Sequence, residues 1–240
     1  MKIATIDITQ RVFIIAELSA NHHQNFEHAK EAIIRAKEAG ADAVKLQTYT
    51  ADSLTIDVKE EIFKAGFLWE SEYLYDLYKR AAMPYEWHEP LKKLADELGI
   101  ILFSSPFDFE GVDLLESLDV PAYKIASFEI TDIPLIEYVA KKGKPILLST
   151  GIASLSDIEL AISTCYNAGN RQLIILKCTS QYPAPASSMH LTTLADMQHR
   201  FQLITGLSDH SLGIEACIAS VALGARVIEK HFTPNKSIPS

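Results

Sequence analysis

An α/β fold, a (β/α)8 barrel, is what this sequence predicts, on three observations. Short runs rich in β-branched residues alternate with longer stretches of helical period from Val12 nearly to the C-terminus. That rhythm belongs to a parallel sheet assembled from βα units. Eight such runs occur, the number at which a twisted parallel sheet closes on itself. The 240 residues also suit one such domain, which fills roughly 200 to 250 residues without dividing.

The strands fall at 12–17, 42–47, 100–104, 122–126, 145–149, 172–178, 202–206 and 226–231, with helices at 26–39, 86–98, 109–118, 134–142, 155–168, 188–199 and 213–223. Helix 26–39 sets Ala29, Ala32, Ile33 and Ala36 on one face, and Gly40 stops it, as Gly169 and Gly224 stop later helices. Residues 1–10 predict a short hairpin closing the bottom of the barrel. The stretch 48–85 is an insertion carrying Phe63, Phe67, Leu68, Trp69, Tyr73, Tyr75 and Tyr78. Long βα loops of barrels build active sites, and this one reads as an aromatic lid packing on itself. After Phe232 only Thr233 to Ser240 remain. The chain therefore reads as a single barrel domain over 1–240, truncated after the eighth strand.

Composition excludes several classes of function. With 22 Lys+Arg against 31 Asp+Glu and a formal charge of −9, nonspecific attraction to nucleic acid or anionic membranes is disfavoured. No apolar run approaches the roughly 18 residues of a membrane span, and the N-terminus lacks a signal core, so a cytoplasmic location is expected. Cys165, Cys178 and Cys217 form no CxxC pair and read as buried small apolar residues.

Chemistry in a barrel sits at the C-terminal ends of the strands, and polar residues punctuate nearly every one. The series is Glu17, Lys45 with Gln47, Ser104 with Ser105, Lys124 with Ser127 and Glu129, Ser149 with Thr150, Lys177 with Thr179 and Ser180, Ser208 with His210, and His231. Lys45 and Lys124 interrupt apolar strands, where an unbalanced ammonium is costly. The balancing anion is either a substrate phosphate or carboxylate, or a structural partner such as Glu17 or Glu129. His210 and His231 end adjacent strands, and two imidazoles suit Mn²⁺, Fe²⁺, Co²⁺ or Zn²⁺; the other reading is a hydrogen-bonded loop pair. Asp209 and Glu229 are expected to orient these rings. His22 and His23 are further polar candidates, at least one of them solvent-exposed.

Seven segments carry a resemblance in order along the chain: 14–22 (IIAELSANH), 44–49 (VKLQTY), 103–107 (FSSPF), 122–129 (AYKIASFE), 148–151 (LSTG), 206–210 (GLSDH) and 229–232 (EKHF). They resemble the N-acetylneuraminate synthase family of sialic acid synthases. Segments 73–78 (YLYDLY), 84–88 (PYEWH) and 177–183 (KCTSQYP) look like its pseudaminic acid branch. The resemblance implies condensation of phosphoenolpyruvate with an open-chain acetamido sugar, 2,4-diacetamido-2,4,6-trideoxy-altrose, giving pseudaminic acid and phosphate. By it, Lys45, Ser105, Lys124, Ser127, Ser149 and Ser208 hold phosphoenolpyruvate. His210 and His231 ligate a divalent metal, Mn²⁺ foremost with Mg²⁺ or Co²⁺ as the other candidates. Gln47, Tyr182, Glu17 and Glu129 face the sugar, and Glu17 or Glu129 moves protons.

Two departures stand out. Ser180 occupies a position where N-acetylneuraminate synthases carry Asn. The family also continues into a small antifreeze-like domain, swapped within a homodimer, that brings an arginine to the partner's sugar site; without it the barrel is expected to bind sugar poorly. The alternatives are a sister synthase of N-acetylneuraminic or legionaminic acid, a Schiff-base aldolase using Lys124 or Lys177, and a noncatalytic barrel binding a phosphorylated ligand.

Overall fold

Strands inside a barrel are covered on both faces, by the barrel interior and by the outer helices, so they read as nearly continuous apolar runs. Leu173, Ile174, Ile175 and Leu176 form one such run, all four fully buried. The computed structural model describes residues 1–66 and 72–234.

The chain opens with an antiparallel hairpin, β1 (Lys2–Ile3) and β2 (Ile6–Asp7). Its Ile3, with Ile8, joins Phe13 and Ile15 in one apolar cluster. The barrel strands are β3 (Phe13–Glu17), β4 (Ala43–Thr48), β5 (Ile101–Pro106), β6 (Tyr123–Ile125), β7 (Ile146–Ser149), β8 (Leu173–Cys178), β9 (Ile204–Asp209) and β10 (Val227–His231). All neighbours are parallel, and β10 against β3 closes the ring. The outer layer comprises α1 (Phe26–Glu38), α4 (His88–Leu98), α5 (Phe109–Ser117), α6 (Ile133–Ala140), α7 (Leu155–Asn167), α8 (Thr193–Phe201) and α9 (Glu215–Ala222). Between β4 and α4, the insertion holds α2 (Ala51–Leu54) and α3 (Leu74–Ala81).

Local signals account for most boundaries. Asn25 caps α1 by accepting from the Glu27 and His28 amides, and Gly40 beyond its end has φ 87, a conformation glycine takes without a Cβ penalty. Two elements differ most from expectation. The seventh barrel strand is Ile204–Asp209 rather than 202–206, because Gln202 takes the left-handed φ 53 as the cap of α8; extended pairing starts after it and runs through Asp209. Helix α8 begins at Thr193 rather than 188, because Ala186–Ser188 after Pro185 forms a separate 3-10 turn.

In the insertion, Tyr49 meets Tyr78 and Phe107 edge-on, at 6.2 and 5.3 Å between centroids. Lys59 lies over Tyr73 at 5.2 Å. Phe67, Leu68 and Trp69 lie outside the described residues. Cys165 and Cys178 are buried, whereas Cys217 is only half-buried and its thiol donates to Asp209 Oδ2 at 3.1 Å; it is a polar contact rather than the apolar filler expected. Among the described residues no helix is long and apolar enough to cross a membrane.

Candidate active site at the C-terminal mouth of the barrel

Residues i and i+2 of a strand share a face, so barrel closure aligns side chains from distant parts of the chain. Glu17 lies opposite Lys45 on one side and His231 on the other. Gln47 lies opposite Ser105, and Glu229 opposite Ser208.

Four charged side chains meet in the interior, each at most 5 % exposed. Lys45 Nζ stands 3.0 Å from Glu17 Oε2 and 3.5 Å from Glu229 Oε2, and Lys124 Nζ is 3.5 Å from Glu229 Oε1. Lys45 also donates to Ser105 Oγ at 3.3 Å, and Ser208 donates to Glu229 Oε1 at 2.9 Å. The lysine charges are thus balanced by Glu17 and Glu229, which spares the several kcal/mol that an unpaired buried ion costs.

Burial works against charge on all four groups, and the neighbours decide which yield. For Glu229, burial is overcome by Lys124 and Lys45, which hold its carboxyl down to about 2. For Glu17, burial outweighs Lys45 and Glu229 adds repulsion, so its carboxyl rises to about 7. Lys45 is disfavoured by burial but held above the ordinary lysine value by Glu17 and Glu229. Lys124 falls below that value, because burial exceeds the pull of Glu229 and Lys45 repels it. The cluster accordingly keeps Glu229 anionic and leaves Glu17 poised to exchange a proton.

Beside it, the His210 and His231 rings stand 5.3 Å apart, and Tyr182 lies against both at 4.3 and 5.9 Å. His210 Nδ1 donates to the Thr179 carbonyl at 3.0 Å, so the neutral ring carries its free lone pair on Nε2. Burial lowers both histidines, His231 to about 4 with help from His210. Desolvation by neighbouring atoms likewise pushes the hydroxyl of the half-exposed Tyr182 up to about 12.

The serines complete the wall. Ser127 Oγ accepts from the Ile152 amide at 3.1 Å and from Ser180 Oγ at 3.3 Å. Gly151 packs closely here: a Cβ would come within 2.4 Å of Ser180 Oγ and 2.5 Å of Ser127 Oγ, so those hydroxyls would have to move. Among the described residues, no hydrogen-bond partner meets the buried Ser149 Oγ, Glu17 Oε1 or Glu129 Oε2. Glu129 sits in the 3-10 turn Phe128–Thr131 after β6, its carboxyl raised by burial.

Several expectations are corrected by strand alternation. Asp209 does not orient His210; it bonds Ser211, Lys230 and Cys217 on the other face, and the Thr179 carbonyl takes its place. Glu229 is no accessory to His231 but the anion at the centre of the cluster. Because His231 and Glu229 are two apart on one strand, period-two reading would have found it. Ser104 points away from the mouth toward Thr48 and His88. Lys177 bonds Cys178 O and Thr179 Oγ1 rather than the acidic cluster. His23 is exposed as expected of one of the pair, while His22 is buried edge-on to Trp87 at 5.6 Å.

Two adjacent neutral imidazoles, with an unpartnered carboxylate oxygen on the neighbouring strand, fit a borderline divalent ion. Among the described residues no group of three His, Cys, Asp or Glu gathers to hold a metal, so such an ion would draw further ligands from substrate and water oxygens.

The NeuB family matches residues 32–240. The chain is 47 % identical over 241 residues to the pseudaminic acid synthase of Campylobacter jejuni subsp. jejuni serotype O:2, covering 100 % of this chain and 70 % of that protein. It is 48 % identical over 226 residues to the pseudaminic acid synthase of Helicobacter pylori, covering 94 % of this chain and 66 % of that one. Among solved structures, the N-acetylneuraminic acid (sialic acid) synthetase of Leptospira borgpetersenii serovar Hardjo-bovis in complex with citrate superposes with TM-score 0.89 at 32 % identity, over 99 % of this chain and 79 % of that one. A barrel closed around paired lysines, glutamates and histidines, and matched along nearly its whole length, has one conclusion: the chain belongs to the NeuB family.

Proposed function

We propose that this chain is the catalytic barrel of a pseudaminic acid synthase, condensing phosphoenolpyruvate with 2,4-diacetamido-2,4,6-trideoxy-altrose to give pseudaminic acid and phosphate. The observation that carries the reading is Lys45 and Lys124 gathered around Glu229, with Glu17 and the His210–His231 pair beside them. The 47–48 % identity to pseudaminic acid synthases supports the choice of sugar.

Lys45 and Lys124 would meet the phosphate and carboxylate of phosphoenolpyruvate. Ser105, Ser127, Ser149 and Ser208 would add neutral hydrogen bonds. The two lysines already stand desolvated, so the anions meet cations without a hydration shell to strip. Gln47, Glu129 and Tyr182 would face the sugar. His210 and His231 would hold a divalent metal, Mn²⁺ foremost, which when bound polarises a carbonyl oxygen as a Lewis acid.

In the reaction, C3 of phosphoenolpyruvate forms the new carbon–carbon bond with the sugar aldehyde carbon, and the aldehyde oxygen takes a proton. Glu17 in its neutral form is placed to supply it. Water then adds to the oxocarbenium left at C2, giving up one proton to the carboxylate of Glu17 or Glu129; the C2–oxygen bond breaks, and the departing phosphate takes the remaining hydroxyl proton to leave the keto acid. A general acid or base of this kind contributes about 10²–10⁴-fold. The reading extends to assembly as a homodimer in which a small swapped C-terminal domain completes each sugar site. The chain's alignment with 70 % of the Campylobacter protein leaves length for it.

The test is phosphate release from phosphoenolpyruvate with a panel of acetamido sugars, using the polypeptide at the length of its relatives. Turnover is expected with the trideoxy-altrose, and lost to a chelator. Turnover with N-acetylmannosamine instead would move the chain to a sister synthase. A borohydride-trapped adduct at Lys124 or Lys177 would replace the mechanism with a Schiff-base aldolase.

A further inference from the structure

On the outer side of β4 and β5, a row of apolar side chains packs against α4: Leu46, Leu102, Leu91 and Ala95 belong to one buried cluster. The row ends in three polar side chains, Thr48, Ser104 and His88, all 0 % exposed. Aliphatic residues would fill this layer without needing partners, and a buried polar group left unpaired is destabilising. The three instead satisfy one another. His88 Nδ1 lies 3.2 Å from the Pro84 carbonyl, His88 Nε2 2.8 Å from Thr48 Oγ1, and Thr48 Oγ1 2.7 Å from Ser104 Oγ.

The direction of this chain follows from its end. A carbonyl only accepts, so His88 Nδ1 donates to Pro84; the neutral ring then offers Nε2 as acceptor to the Thr48 hydroxyl, whose oxygen accepts from Ser104. Burial keeps His88 below the ordinary imidazole value, consistent with the neutral ring this order requires. The three residues come from β4, β5 and the start of α4, where the insertion rejoins the barrel. Thr48 and Ser104 each neighbour a residue facing the mouth, Gln47 and Ser105, which lie opposite each other in register.

We propose that His88 is a positioning residue that, through Thr48 and Ser104, locks the C-terminal ends of β4 and β5 and thereby sets how Gln47 and Ser105 face the substrate. The lock is a claim about the strand ends alone; its effect on substrate rests on the proposed reaction. The chain also joins Pro84, at the end of the insertion, to those strand ends through His88.

The decisive variant is T48V, which keeps the side-chain shape and removes the hydroxyl. Amide hydrogen exchange at residues 47–49 and 104–107 is expected to accelerate about tenfold, with β7, β8 and β9 unchanged. Phosphoenolpyruvate Kd is expected to rise about tenfold. S104A keeps the Thr48–His88 bond but releases β5, so exchange should accelerate at 104–107 while 47–49 stays within about twofold; H88Q, which keeps a donor and an acceptor, should stay within about threefold at both. H88L should follow T48V; if it does not fold, T48V decides. Unchanged exchange at 47–49 and 104–107 in T48V, or acceleration spread evenly over all strands, overturns the proposal. Failure of the unmodified protein to bind phosphoenolpyruvate would defeat the proposed reaction while leaving the exchange result to judge the lock.

Discussion

Ser208 and Glu229, opposite each other across β9 and β10, share a 2.9 Å hydrogen bond in which the serine donates. It holds one carboxylate oxygen of Glu229 while the carboxylate reaches both Lys45 and Lys124 at 3.5 Å. A residue expected to touch phosphoenolpyruvate thus also aims the anion that keeps two buried lysines charged.

Replacing that anion should expose the cost of the lysines. Glu229→Gln is expected to destabilise the ligand-free protein by about 3 kcal/mol, the scale for breaking a buried ion pair. Phosphoenolpyruvate should recover more of this loss than it adds to the unmodified protein, because its anions stand in for the missing carboxylate. Thermal unfolding with and without phosphoenolpyruvate measures both, and equal ligand shifts in the two proteins would argue against the lysines as its site.

The raised carboxyl of Glu17 has a signed consequence for stability. Its folded value of about 7 exceeds the ordinary 4.5, so the folded state holds the proton more tightly. Its contribution is full below pH 4.5 and is lost as pH rises from 4.5 through 7. Glu17→Gln should therefore gain on the unmodified protein across that window, by on the order of 3 kcal/mol at most. Denaturant unfolding at pH 5 and pH 8 reads the difference; a constant gap at both would show that Glu17 ionises normally.

Gly151 tests the packing of the serine wall. Gly151→Ala places a methyl within 2.5 Å of two hydroxyl oxygens and should destabilise by about 1 to 3 kcal/mol. Adding Ser180→Ala removes one of the two clashes and should restore part of the stability in the same unfolding assay.

The histidine pair predicts a metal stoichiometry independent of turnover. Calorimetric titration with Mn²⁺ should find one site per chain in the unmodified protein and none in His210→Ala or His231→Ala. Both variants should retain the barrel by circular dichroism, because these rings sit at the strand ends rather than in the apolar core.

The order of the elements was readable because it rests on local chemistry. β-branched runs, helical periodicity, Asn25 as a cap and Gly40 as a stop act within a few residues of chain. The lysines that meet in the barrel interior were readable too, since Lys45 and Lys124 each interrupt an apolar strand. Alternation could have gone further: Glu229 shares a face with His231, and Asp209 falls on the opposite face from Ser208 and His210.

Sequence alone therefore determined that eight strands would alternate with helices and that polar groups would collect at their C-terminal ends. Tertiary structure decided which carboxylate answers which lysine, which of the adjacent Ser104 and Ser105 turns inward, and that His210 leans on the Thr179 carbonyl. The reason is that a strand's period of two is a local property, whereas register between strands is settled only when β10 meets β3 and the ring closes.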